Sequence, residues 1–126
     1  MAFFVENDVI YITKGDDAVL EVSSITADDG GEYELQAADV LTLTVRALPS
    51  AQSPVLIQID ALPGSERIVI RHEDTAELTV GRYSADVQLT TAEGRRHTIW
   101  PVIAGSGRYV VKSFNNFIIM PEVTTK

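Results

Sequence analysis

The 126-residue chain contains no cysteine. That excludes a disulfide framework, a thiolate metal site and a cysteine nucleophile, so packing alone must hold the fold. Histidine is nearly missing too: His72 and His97 stand apart, each beside an arginine, in no metal-ligating spacing. No metal and no cofactor is expected. No apolar run approaches the ~18–20 residues that cross a bilayer, so membrane insertion is not expected either. The opening "MAFFVENDVIY" lacks a basic leader and a small-residue cleavage site and does not read as a secretory signal peptide. "GSGRY" has too few glycines, and no helix after it, to cradle a phosphate. The serines of "SITADD" and "GSGR" have no paired base in a recognisable frame. The chain therefore reads as one that is not an enzyme.

Basic residues are scarce where acid is dense. Nine of the eighteen acids but only one base, Lys14, fall in residues 1–34, so that third carries the whole net charge of −8. Such a surface repels phosphate backbones, and nucleic-acid binding is not expected. The segment is a solvated face, a docking edge for a basic partner in which Asp16, Asp17, Asp28 and Asp29 are the candidate contacts, or a weak divalent-cation site. "TADDGGEYE" lacks the alternating oxygen ligands of a calcium loop and reads as a solvated turn.

What the sequence does have is period two. In "VLTLTVRAL", Leu41, Leu43 and Val45 fall on one side, with Thr42, Thr44 and Arg46 on the other, as in a strand with one buried face. "AVLEVSS", "PVLIQID", "RIVIR" and "RYSADVQLTT" repeat it, with Val55, Ile57 and Ile59 expected inward in the second of these and Tyr83, Ala85, Val87 and Leu89 in the last. "VIYIT", "RHTIW" and "NFIIM" bring the count to about eight strands. Turn signals at Gly15, Gly30-Gly31, Pro49, Pro63-Gly64, Gly94 and Gly105 separate them. Short strands punctuated in this way make an all-β sandwich or barrel rather than an α/β fold, a single domain over residues 1–126. The only helical turn expected is near residues 73–77, with Asp74 or Thr75 accepting from the next amides.

That turn leads into Gly81-Arg82-Tyr83 and a long alternating run. In immunoglobulin-like sandwiches a tyrosine at this place sends its hydroxyl back to the upstream backbone and pins the corner between sheets. Gly81, Tyr83, Asp74 and Thr75 are therefore the candidate structural corner of an immunoglobulin-like β-sandwich. Ala85 stands where an antibody domain has its second cysteine, so aliphatic packing must replace the disulfide. Trp100, with Tyr109, Phe114 and Phe117, reads as core and interface, or alternatively as a sugar-stacking platform in a carbohydrate-binding or adhesion module.

"ITKGDDAVLEV", "YELQAADVLTLTVR", "IRHEDTAELTVGRYSADVQLTTAEGRRHTIWP" and "FIIMPEVT", in that order, resemble the amino-terminal immunoglobulin-like domain of phage and prophage baseplate upper proteins. The likeness covers nearly the whole chain. It implies a non-catalytic tail adaptor whose partners are other tail and baseplate proteins, with three or six copies in the assembly. It also implies a location in the virion, or in the bacterial cytoplasm during assembly. Two features depart from that pattern: "VIAGSGRYVVKSFNN" lengthens the connection before the last strand, and the sequence stops after "EVTTK" where similar proteins continue.

Overall fold

Alternation becomes strand wherever it occurs. The computed structural model describes residues 3–6, 9–22, 25, 31–48, 52–100 and 116–121. The strands are β1 (Phe3–Glu6), β2 (Val9–Thr13), β3 (Ala18–Glu21), β4 (Val40–Arg46), β5 (Val55–Asp60), β6 (Arg67–Ile70), β7 (Gly81–Thr90), β8 (Arg96–Trp100) and β9 (Phe117–Met120), with one helical turn, α1 (His72–Ala76). Among the described residues there are nine strands, in line with the about eight expected; the additional one is β1. The turn begins one residue earlier than 73–77, because the Asp74 carboxylate reaches back to the Arg71 N–H at 2.7 Å and sets the start there.

Seven strands form one sheet in the order β1-β2-β9-β7-β4-β5, with β8 also on β7, while β3 and β6 pair as a separate ribbon. The centre is the seven-residue antiparallel register of β4 on β7, from Val40↔Thr90 to Arg46↔Ser84. Leu41, Leu43, Val45, Val87 and Leu89 point from it into the core, and Ile10, Ile12, Phe117 and Ile119 continue that face across β2 and β9. Leu20, Ile68 and Ile70 of the β3–β6 ribbon close the core from the other side. Each fully buried side chain of this size stabilises the fold by roughly 1.5–3 kcal/mol. The result is an all-β sandwich, a seven-stranded sheet faced by a two-stranded ribbon. Val55 is a correction: at the start of β5 it is exposed, and burial on that strand centres on Ile57. The register slips between Val45 and Arg46, which turns the beginning of β5 away from the core.

On the edge of β7 away from β4, two separate strands take turns. β9 pairs with Gly81–Tyr83 and β8 with Val87–Thr90, leaving Ala85 between them. Asn116 fills the gap with its side-chain amide, accepting from the Ala85 N–H at 2.7 Å and donating to the Ala85 carbonyl at 2.8 Å. At 2% exposure Asn116 is as buried as the apolar core around it. The expected longer connection preceding it lies, for residues 101–115, outside the described residues. The "TTAEGRRHT" hairpin turns on Gly94 at φ 86°, closed by the Thr91 N–H to the Arg95 carbonyl at 2.9 Å. Among the described residues no helix is long and apolar enough to cross a membrane.

Candidate functional site

The polar geometry concentrates at the end of the sandwich where β6 hands over to β7. Thr75 is fully buried, and its Oγ1 accepts from the Gly15 N–H at 2.8 Å, tying α1 to the β2–β3 turn. Asp17 approaches the same helix from outside: its Oδ1 accepts from the His72 backbone N–H at 2.6 Å and lies 3.0 Å from His72 Nδ1. The backbone hydrogen bond, then the His72 side chain, hold the Asp17 carboxyl below its ordinary range. Anions suit the start of a helical turn because its first amides point outward unpaired. At the far end of the turn, Tyr83 donates its hydroxyl to the Thr79 carbonyl, four residues upstream. The ring packs half-buried against the core cluster while the oxygen stays at the rim.

The candidate corner residues each take a separate partner: Tyr83 bonds to Thr79, and the two expected acceptors, Asp74 and Thr75, bond elsewhere than expected. Neither side chain accepts from the amides that follow it; the Thr75 carbonyl, not its hydroxyl, accepts from the Leu78 N–H at 3.0 Å. Asp74 reaches backward within the turn, and Thr75 reaches across 60 residues to Gly15. The reason is orientation: Arg71 occupies the extended position before the turn, which puts Asp74 in its first turn and Thr75 against the core.

Among the candidate docking acids, Asp17 is already engaged by His72, and Asp16 belongs to the β2–β3 turn, its N–H donating to the Thr13 carbonyl at 3.1 Å. Asp28 and Asp29 lie outside the described residues. Trp100 is half-buried at the end of β8 and packs on the core. With Val5, Ile10, Leu20, Val87 and Ile99 it lines a cleft of about 220 Å³ at the flank of the sandwich. Phe117 is fully buried and presents no ring to a sugar; Tyr109 and Phe114 lie outside the described residues.

A second polar centre was not legible in the sequence. "TADDGGEYE" reads as a solvated turn, yet Tyr33 donates its hydroxyl to Asp39 Oδ2 at 2.5 Å, and Asp39 is 2% exposed. The same oxygen accepts from the Gln36 N–H at 2.8 Å, and the Asp39 carbonyl accepts from the Gly64 N–H at 2.8 Å. The hydrogen bond to Asp39, then burial and the carboxylate charge, push the Tyr33 phenol up to about 12. Gly64 has φ 77°, and a Cβ there would meet the Ala37 carbonyl oxygen at 3.0 Å, so this close approach requires glycine. Asp39 and Asp74 share one habit, each accepting from the amide three residues before it; that spacing is the signal that could have found both.

Elsewhere on the main sheet, burial raises the Asp86 carboxyl, and the Arg46 charge partly offsets that. Among the described residues, no three histidine, aspartate or glutamate side chains gather closely enough to hold a metal ion.

Fold and site together define an all-β sandwich in which Tyr83 bonds back to Thr79 and two long-range hydrogen bonds, Gly15 to Thr75 and His72 to Asp17, tie α1 to the β2–β3 turn. Comparison with family models, with curated proteins and with solved structures gives no match for the chain.

Proposed function

We propose that this protein is a non-catalytic structural or adaptor domain of a phage or prophage tail baseplate, whose work is to join other tail proteins. The observation that carries the reading is the apolar character of both edges of the seven-stranded sheet. Phe4 and Val5 are exposed on β1, and Val55 and Leu56 on β5. Edge strands present unpaired amides and carbonyls, and a partner engages them by adding a strand or covering the edge. The ordered motifs from Gly15-Asp16 through Gly81, Tyr83 and Asp86 to Glu122-Val123-Thr124 support the tail assignment by resemblance. Acidic side chains steer a basic partner toward the docking face. Asp16, Asp28 and Asp29 are assigned to that role; Asp17, held by His72, is not.

The experiment is quantitative mass spectrometry of gradient-purified tails from cells expressing the gene. The chain is expected in a fixed ratio to baseplate proteins, at three or six copies. Its absence from intact tails overturns the reading. Reversing Asp16, Asp28 and Asp29 to lysine is expected to slow association with the baseplate partner about tenfold at low salt; an unchanged rate removes the electrostatic part alone.

A further inference from the structure

The outer face of β6 alternates charge and hydrocarbon. Ile68 and Ile70 are buried, so Arg67, Val69 and, in the extended residue that follows the strand, Arg71 point away from the core. Val69 stands opposite Val19 of β3, and the two remain 43% and 36% exposed. With Ile59 and Leu62, from the end of β5 and the turn after it, these residues line a groove of about 480 Å³. Among the described residues neither guanidinium has a carboxylate partner. The ion pairs there both belong to His72, with Asp17 and Glu73, and Glu21 stands opposite Arg67 in register without pairing with it. Asp60, at the margin of the groove, accepts from the Thr42 hydroxyl at 2.7 Å. The groove also opens beside a backbone edge, because β5 ends the seven-stranded sheet. The Ala61 N–H donates to the Leu41 carbonyl at 2.8 Å; antiparallel alternation then turns the Ile59 backbone toward β4 and the Gln58 and Asp60 backbones outward, where no described strand pairs with them.

We infer that this groove docks an extended acidic segment of a partner protein, which adds a strand to β5 and sets two carboxylates, with an apolar residue midway between them, on Arg67 and Arg71. Charge complementarity chooses the occupant: two unpaired arginines flank an apolar floor, and carboxylates are what a guanidinium fork binds best in a peptide. Spacing chooses its conformation. Arg67 and Arg71 lie about 13 Å apart along the chain, the separation of side chains four residues apart on one face of an extended segment. A helix sets residues four apart at about 6 Å along its axis and reaches only one of the two arginines. The residue midway falls on the Val19–Val69 pair. A long polyanion such as a nucleic acid is repelled by the net charge of −8, whereas a short acidic segment confined to the groove meets the two arginines first. The interface is smaller than the ~1,200 Å² of a stable complex, so binding is weak, with dissociation near about 0.1 mM. The inference rests on the docking role proposed for the β5 edge and not on the tail assignment. Absence from tails leaves it intact, and a peptide that fails to bind leaves the tail assignment intact.

Fluorescence polarisation with the full chain and a labelled peptide Thr-Glu-Thr-Val-Thr-Glu-Thr tests it, with Thr-Lys-Thr-Val-Thr-Lys-Thr for comparison. Saturable binding near about 0.1 mM is expected for the glutamate peptide alone, weakening about threefold or more as salt rises from about 0.05 M to about 0.3 M. Arg67→Glu with Arg71→Glu should weaken it about tenfold or more while leaving circular dichroism unchanged. Arg82→Glu, at an exposed site outside the groove, should bind like the parent. Bound peptide should slow hydrogen exchange at the Gln58 and Asp60 amides. No saturable binding up to about 1 mM overturns the inference. So does equal binding of the lysine peptide, binding that the double arginine variant retains, or protection that spares Gln58 and Asp60. Full displacement by about 1 mM inorganic phosphate also overturns it, by assigning the arginines to a small anion.

Discussion

The side chain of Asn116 stands in for a missing backbone opposite Ala85. Its amide makes both hydrogen bonds that a paired strand residue would make, at 2.7 and 2.8 Å, where the edge of β7 passes from β9 to β8. Without it, a buried donor and acceptor at the centre of the sandwich would be unsatisfied, at about 1–3 kcal/mol for each group.

Asn116→Ala is therefore expected to destabilise the fold by about 2–4 kcal/mol, read from urea unfolding. Asn116→Asp keeps the acceptor but puts a carboxylate against the Ala85 carbonyl, and should cost at least as much near neutral pH. A loss below about 0.5 kcal/mol for Asn116→Ala would show that the β7 edge finds other partners.

The tyrosine at the corner predicts a smaller effect. Tyr83→Phe retains the ring against the core and removes the hydrogen bond to the Thr79 carbonyl, at the half-exposed rim. About 0.5–1.5 kcal/mol of stability should go, with no change in secondary structure by circular dichroism. Tyr83→Ala, which also empties the ring's place in the core, should cost about 3–5 kcal/mol. Equal losses for the two variants would mean that the hydroxyl, not the ring, holds the bend.

These residues mark where sequence reading succeeds and where it stops. Strand runs such as Leu41–Val45 and Tyr83–Leu89 are legible because alternation is a local pattern that burial enforces. The Tyr83 corner is legible because turn, glycine and tyrosine lie within a dozen residues of one another. β1 is missed because "FFVE" is only four residues and runs three apolar residues together before Glu6, with no alternation to read. Thr75 with Gly15, Asp17 with His72 and Asn116 with Ala85 pair over 60, 55 and 31 residues, and no local pattern encodes a partner at that distance. Asp39 is missed for a different reason: its acidic neighbours make the loop look solvated, while its own carboxylate folds inward.

The Asp17 link fixes a sign for acid sensitivity. The folded-state carboxyl titrates below its ordinary value of 3.8 because the His72 amide and ring stabilise its charged form. A carboxyl lowered on folding supplies stability that is complete above the unfolded value and disappears as pH falls through the folded one. Asp17→Asn should therefore flatten the stability–pH curve below about pH 4. Both side chains are well exposed, so about 0.15 M salt should screen most of the charge contribution. A variant whose acid limb overlays the parent's would remove Asp17 from the corner.

Tyr33 and Asp39 give the opposite limb. The Tyr33 phenol is pushed up to about 12 because its proton is shared with the Asp39 carboxylate. The folded form thus favours the protonated phenol, and its contribution is full below the ordinary value of 10 and is lost as pH rises toward 12. Ultraviolet difference titration of the parent should show one of the four tyrosines ionising well after ordinary phenols, and Tyr33→Phe should delete that late step. Asp39→Ala leaves the Gln36 N–H without its buried acceptor and should cost about 2–3 kcal/mol at neutral pH. In that background the Tyr33 phenol should ionise clearly earlier than in the parent, since the hydrogen bond and the Asp39 charge no longer hold its proton. A late phenol that survives Asp39→Ala would locate the cause elsewhere in the loop and detach Tyr33 from the buried carboxylate.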